Sequence, residues 1–270
     1  MENFLLVHED TIRLGVFLGV FAVMAGWEIV AAKRPQTLTR SRRWPHNILL
    51  VVLNTVLMRL IFPIFPLGVA LWASLEGWGL FNQIDLPALL EIVLAVVLLD
   101  LAIYAQHLVF HKVPLLWRLH RMHHADTELD VTSGARFHPI EIALSLLIKI
   151  LLVIALGIPG SAVIIFEVIL NGAAMFNHAN INLPGPVDRL LRWVLVTPDM
   201  HRVHHSEIVD ETNSNYGFNL SCWDRIFGTY TEQPRHGHLG MIIGLPIFRT
   251  AEEARLDKLL TQPFRNDKTA

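Results

Sequence analysis

The sequence predicts an all-α protein: a polytopic membrane helical bundle of four to five spans carrying a cytoplasmic histidine-rich cap. Three observations point there. Hydrophobic residues make up 53% of the 270 positions and charged residues only 17%, well under the roughly 25% of soluble domains. Several apolar runs reach the ~20 residues a membrane-crossing helix needs. Fourteen residues are histidine, and nine of them fall in four tight groups. A net charge of −2 offers no electrostatic basis for nucleic-acid binding. The single cysteine, Cys222, excludes an internal disulfide and cysteine-based metal clusters.

The first expected span runs from Thr11 to Ala32. Acidic residues (Glu2, Glu9, Asp10) precede it and basic ones follow, the reverse of a cleaved signal peptide. Lys33, Arg34, Arg40, Arg42 and Arg43 place the next loop in the cytoplasm by the positive-inside rule. The second apolar stretch, Ile48–Leu75, is interrupted by Pro63 and Pro66, so it reads as one kinked span, the preferred reading, or two half-spans. Glu76, Asp85 and Glu91 follow it without a cation and suit the outer side. The third span, Leu86–Gln106, returns to the basic side. Pro139–Leu156 and Ile158–Asn177 form a hairpin turning at Gly157–Gly160. From Pro184 onward Val187, Leu190, Leu191, Val194 and Leu195 recur at helical spacing, which suits a helix lying in the interface. Residues 1–185 are therefore expected to form the transmembrane bundle with the first histidine boxes (107–124) and His178. Residues 186–270 are expected to form the cap with the interfacial helix and the last box (201–205).

This topology puts every histidine group at one membrane face. His107 and His111 are four apart, so a helix stacks both imidazoles on one side. His120, His123 and His124 converge on one helix, and His201, His204 and His205 repeat that spacing 81 residues later. At the same shift Asp126 matches Glu207, Asp130 matches Glu211 and Ser133 matches Ser214, a local pseudo-symmetry rather than a duplicated domain. His178 stands alone at the end of the fifth span; a lone buried histidine is usually structural. His8, His46, His236 and His238 read as solvated.

Packed imidazoles without a metal are costly to desolvate and repel one another when protonated, so the groups point to metal ligation. Neutral imidazole suits zinc, copper, iron and nickel. Nine candidates imply at least two ions, since a structural zinc site uses four ligands. Neither HExxH nor Glu-x-x-His occurs. Carboxylates are expected to accept the second ring N–H of the ligands. Asp126, Asp130, Glu207 and Glu211 are placed for that, or are solvated loop charges; Asp100 sits on the same helical face as His107. Trp117, Phe110, Phe137 and Phe176 are candidate site liners or ordinary core. Glu167 and Asn171, four apart within the fifth span, are polar groups at membrane depth and suggest either a grip on a substrate hydroxyl or helix–helix bonding.

These boxes resemble those of the fatty acid hydroxylase / sterol desaturase superfamily. The resemblance rests on His107–His111, the two HxxHH boxes and His178. It extends to Arg136-Phe-His-Pro-Ile-Glu141, Glu211-Thr-Asn-Ser-Asn-Tyr-Gly217 and Trp223-Asp-Arg-Ile-Phe-Gly-Thr-Tyr230, and covers about Asp100 to Tyr230. It implies a non-haem centre of two iron ions that uses O2 to hydroxylate a lipid C–H bond. The implied ligands are His107, His111, His120, His123, His124, His178, His201, His204 and His205. Relatives often carry a second histidine four residues after the intermediate one; here Asn182 occupies that position. His138, at the start of a span, is expected beside the ligands or in a structural role. No nucleotide-binding or haem-attachment motif is visible, so electrons are expected from NAD(P)H through a separate electron-transfer protein. The expected setting is a bacterial inner membrane with the site facing the cytoplasm. Desaturation or ether-lipid oxidation fits the same chemistry; a zinc-dependent hydrolase or a metal buffer or transporter fits less well.

Overall fold

A computed structural model describes residues 2–266. The chain is all-α, and β-pairing among the described residues is confined to isolated bridges. A short α1 (Glu2–Val7) leads into α2 (Glu9–Val30), α3 (Arg40–Ile61), α4 (Pro66–Leu75), α5 (Ala88–Lys112) and α6 (Pro114–His124), then α7 (Pro139–Leu156) and α8 (Gly160–His178). The polar C-terminal part contains α9 (Gly185–Leu191), α10 (Pro198–His204), α11 (Val209–Thr212), α12 (Cys222–Ile226), α13 (Gly237–Gly240) and α14 (Leu256–Thr261). Five segments are long and apolar enough to cross a membrane: α2, α3–α4, α5, α7 and α8. This is a multi-pass membrane protein.

The second apolar stretch resolves into two helices. The chain breaks at Phe62, whose backbone is extended, and re-enters helix at Pro66, a residue suited to the first helical turn. The two together form one candidate span, because α3 opens on the charged residues Arg40, Arg42 and Arg43. The ten residues of α4 pack on α7 and α8. Over half of α8 is buried, against at most 22% in the other four segments, so α8 is the central helix. Its core partners include Leu99 of α5, Val153 of α7 and Leu67 of α4. The α7–α8 turn depends on Gly157, at φ +68°, where a side chain would also meet Asn82.

The ends of α2, α5 and α8 and the starts of α3 and α7 meet at one end of the bundle. Glu28 at the end of α2 accepts from the backbone N–H of Val131 at 2.7 Å and of Asn180 at 2.9 Å, joining three chain segments there. The 133–135 turn presses against α8; a Cβ on Gly134 would collide with the Ala174 carbonyl. The expected interfacial helix is shorter than its apolar spacing suggested. It ends at Leu191 because the following residues turn to pair Val196 N–H with Asn219 and Ser221 N–H with Val194. Leu190, Trp193 and Val194 are nevertheless exposed, as a surface meeting lipid would be.

Candidate metal centre

All nine histidines converge, buried, at that one end. They sort into two adjoining groups: His107, His111, His120, His124 and His204, and His123, His178, His201 and His205. One ring nitrogen from each member lies within 4.8 Å of its group's others. The sorting follows helix geometry. Residues i and i+4 share a face, so His120 and His124 of α6 stay together, as do His201 and His205 at the end of α10. The middle histidine of each box points across: His123 joins the α10 pair and His204 joins the α6 pair. The 81-residue repeat is thus realised as an exchange between two facing helices, with ring centroids of His124 and His205 4.5 Å apart.

Backbone carbonyls orient four of the nine rings. Nδ1–H donates to Tyr216 O from His107 (2.8 Å), to Ala174 O from His178 (2.7 Å), to Ser214 O from His204 (2.7 Å) and to Arg136 O from His123 (3.2 Å). A carbonyl only accepts, so each Nδ1 carries the proton and each Nε2 keeps a bare lone pair. His120 Nδ1 donates to Glu141 Oε1 at 2.6 Å. Bare Nε2 atoms therefore face each other at 3.1 Å for His107–His120 and 3.0 Å for His123–His178. Two lone pairs so close repel unless a cation lies between them. Nitrogens bound to one ion at about 2.1 Å stand about 3 Å apart at right angles, so the donor set fits metal. Nε2 of His124 and of His204, and both ring nitrogens of His111, are buried without a hydrogen-bond partner, again as ligand atoms would be. Burial and the neighbouring imidazoles hold His123, His124, His201 and His205 far below the ordinary histidine pKa. Burial pushes His204 down to about 3. All are neutral, the form that binds metal.

The acidic residues sit differently from the sequence expectation. Asp126 accepts from Arg43 Nη2 at 2.7 Å and Ser133 Oγ at 2.7 Å and lies 3.3 Å from Arg136 Nη1. Burial alone would raise its carboxyl, but Arg43 and Arg136 outweigh that and hold it below the usual range. Asp130 takes Arg43 Nη1 at 2.5 Å and Trp44 Nε1 at 3.0 Å. Both engage arginine because Arg43, fully buried at the start of α3, needs that charge. Asp100 accepts from Trp223 Nε1 at 2.8 Å and Leu220 N–H at 3.1 Å, tying α5 to the C-terminal part. Glu207 pairs its backbone N–H with Ile242 O, and Glu211 takes Arg235 N–H. His138 caps α7, its Nδ1 accepting from Ile140 N–H at 3.2 Å. Asn182 accepts from Lys33 Nζ at 3.4 Å, outside both groups. His238, expected to be solvated, is half-buried, 3.8 Å from Asp199, because α13 folds back over α10. The carboxylate that does reach a candidate ligand is Glu141. Its signal was an acidic residue in the first turn of an apolar helix, within a stretch already singled out.

A cavity of about 1000 Å³ opens beside the histidines, bordered there by His107, His120, His123 and His201. Phe110 and Phe137 line it. Trp117 instead covers the other side, its ring centroid 4.8 Å from that of His111, and Phe176 packs in the core against α2.

The fatty acid hydroxylase family matches residues 92–229, half of the chain, and the chain belongs to that family. Similar proteins include the ornithine lipid hydroxylase of Rhizobium tropici, 31% identical over 63% of this chain and 51% of that protein. An alkylglycerol monooxygenase of Xenopus tropicalis is 32% identical over 50% of this chain and 29% of that protein. A cholesterol 25-hydroxylase of Rattus norvegicus is 27% identical over 68% and 61%. The chain thus spans between about a third and three fifths of the length of these relatives. No solved structure matches.

Proposed function

We propose that this protein is an integral membrane non-haem di-iron oxygenase that hydroxylates a lipid C–H bond with O2. Two electrons and two protons reduce the second oxygen atom to water, and a separate electron-transfer protein fed by NAD(P)H delivers the electrons. The observation that carries the reading is the adjacency of nine buried histidines in two metal-sized groups to a lipid-sized cavity. The relatives named hydroxylases and monooxygenases support it. The proposed ligands are His107, His111, His120, His124 and His204 for one ion and His123, His178, His201 and His205 for the other. Residues 1–185 form the bundle and 186–270 the cap. The histidine end faces the cytoplasm, because Lys33, Arg34 and Arg40–Arg43 lie at that same end. The bacterial relative supports an inner-membrane setting.

Iron bound there would supply the O2 activation and C–H oxidation that no side chain can perform. The chain's own groups prepare the site. Backbone carbonyls fix His107, His123, His178 and His204 in the tautomer that presents Nε2. Glu141, holding His120 Nδ1–H, offsets part of the cationic charge. Phe110 and Phe137 give the cavity apolar walls, so an alkyl chain reaches the histidines without carrying water. Trp117 shields His111 and His124 from the opposite side. The test is purified protein reconstituted with ferrous iron and a reductant, supplied with membrane lipid. The expected result is two irons per chain and an O2-dependent mass gain of one oxygen atom in lipid, lost in His123→Ala and His204→Ala. Oxidation retained in those variants, or supported equally by zinc, would end the proposal.

A further inference from the structure

The cavity does not end in hydrocarbon. From the histidines it extends along the bundle to mid-depth, where Arg13 of α2, Lys149 of α7 and Glu167 of α8 border it. Glu167 accepts from Arg13 Nη1 and from Lys149 Nζ, the latter at 2.7 Å. The Lys149 and Glu167 side chains are 14% and 11% exposed. Ionised groups at membrane depth are expensive and mark binding or transport sites. Glu9 accepts from Arg13 Nε at 3.2 Å and is the more exposed carboxylate, so two cations meet two carboxylates here. Both cations nonetheless keep N–H groups beyond those that Glu167 and Glu9 take.

The two ends of the cavity are a measurable distance apart. Glu141, which holds His120, and Lys149 are eight residues apart on α7, about 12 Å along the axis. Glu167 and His178 are eleven apart on α8, about 16 Å. Those lengths are roughly half the ~30 Å hydrocarbon core, the depth of one leaflet. The far end is also where the cavity meets the outside, with Asp10 and Arg59 exposed on the facing ends of α2 and α3.

We propose that Arg13, Lys149 and Glu167 form a headgroup subsite for the anionic head, carboxylate or phosphate, of a lipid whose chain runs inward to the histidines. The lipid enters between α2 and α3 at the end remote from the histidines. Oxidation then falls at a fixed distance from the head, about 12–16 Å along the bundle. The word substrate rests on the oxygenase reading; binding at the triad does not.

The experiment measures the affinity of the full-length protein in phosphatidylcholine nanodiscs for four probes of one chain: oleate, oleyl phosphate, oleyl alcohol and oleylamine. At least one anion is expected to bind about tenfold or more tighter than the alcohol and amine, and the stronger of the two identifies the head chemistry. Lys149→Met and Arg13→Gln are expected to weaken that anion about tenfold and leave oleyl alcohol unchanged, and Lys149→Arg to restore it. Glu167→Gln, which removes the competing carboxylate and keeps its shape, is expected to tighten it. If Glu167→Gln weakens the anion, or if the alcohol or amine binds as tightly, the triad does not read an anion and the proposal falls. Unchanged affinities throughout would leave the triad a structural tie and equally overturn it. In active protein, lengthening a fatty acid from 16 to 20 carbons should keep the oxidised position constant when counted from the carboxylate. A position constant from the methyl end would contradict head anchoring. Failure to oxidise any lipid would count against the oxygenase reading and leave the binding result standing.

Discussion

Glu141→Ala removes the carboxylate that, among the described residues, holds a candidate ligand. Glu141 and His120 are 5% and 3% exposed, and their contact is 2.6 Å, so water does not replace the lost partner. A hydrogen bond to a charged group contributes about 1.5–3 kcal/mol, equivalent to about 10–150-fold in an equilibrium constant. That range agrees with the roughly 10–100-fold effect of removing a ligand's supporting partner in other metal sites. The expected result for Glu141→Ala is thus a loss of one to two orders of magnitude in affinity at the site His120 serves. Glu141→Gln keeps an acceptor of the same shape and loses only the charge, so its loss is smaller, about tenfold or less on the same scale. Competition with a chromogenic chelator, followed by metal analysis, reads both variants against wild type. Metal affinity within twofold of wild type in Glu141→Ala would refute the role assigned to this carboxylate.

Three further outcomes follow from the same geometry. His111→Ala should lower metal content at the five-histidine group and His178→Ala at the four-histidine group, each leaving the other ion bound; loss of both ions in both variants would mean one shared site. Asp126→Ala strands Arg43 and Arg136 in the interior, so the protein should lose about 3–5 kcal/mol of stability; a thermal midpoint unchanged in detergent would contradict the pairing. In metal-free protein, burial holds His204 down at about 3, against about 6.5 when unfolded. A depressed histidine adds stability that is fully present above pH 6.5 and is lost as pH falls toward 3, so the midpoint should drop between pH 7 and pH 4; a flat profile would contradict the neutral, buried state of the cluster.

The spans and the nine-histidine assembly were legible because both are written in periodicity. Apolar runs of membrane length mark α2, α3–α4, α5, α7 and α8, and i, i+3, i+4 spacing decides which imidazoles share a face. Parity of the spans then brings all four groups to one end. The surroundings of the rings were not legible. Tyr216, Ala174, Ser214 and Arg136 act on the histidines through carbonyls, which every residue has, so side-chain identity carries no signal for them. Asp126 and Asp130 looked like partners of a metal site because their own partner, Arg43, lies more than eighty residues earlier and only the fold unites them. The break between α3 and α4 was visible in Pro63 and Pro66, but whether the shorter piece spans depended on its packing against α7 and α8. The charged end of the cavity draws on α2, α7 and α8, three helices far apart in the chain; Glu167 alone was visible beforehand.

The most direct measurement is anomalous difference density at the iron absorption edge from crystals of active protein. The account predicts two peaks, one within His107, His111, His120, His124 and His204 and one within His123, His178, His201 and His205. One peak, no peak, or iron outside these histidines in oxidation-competent protein would contradict it.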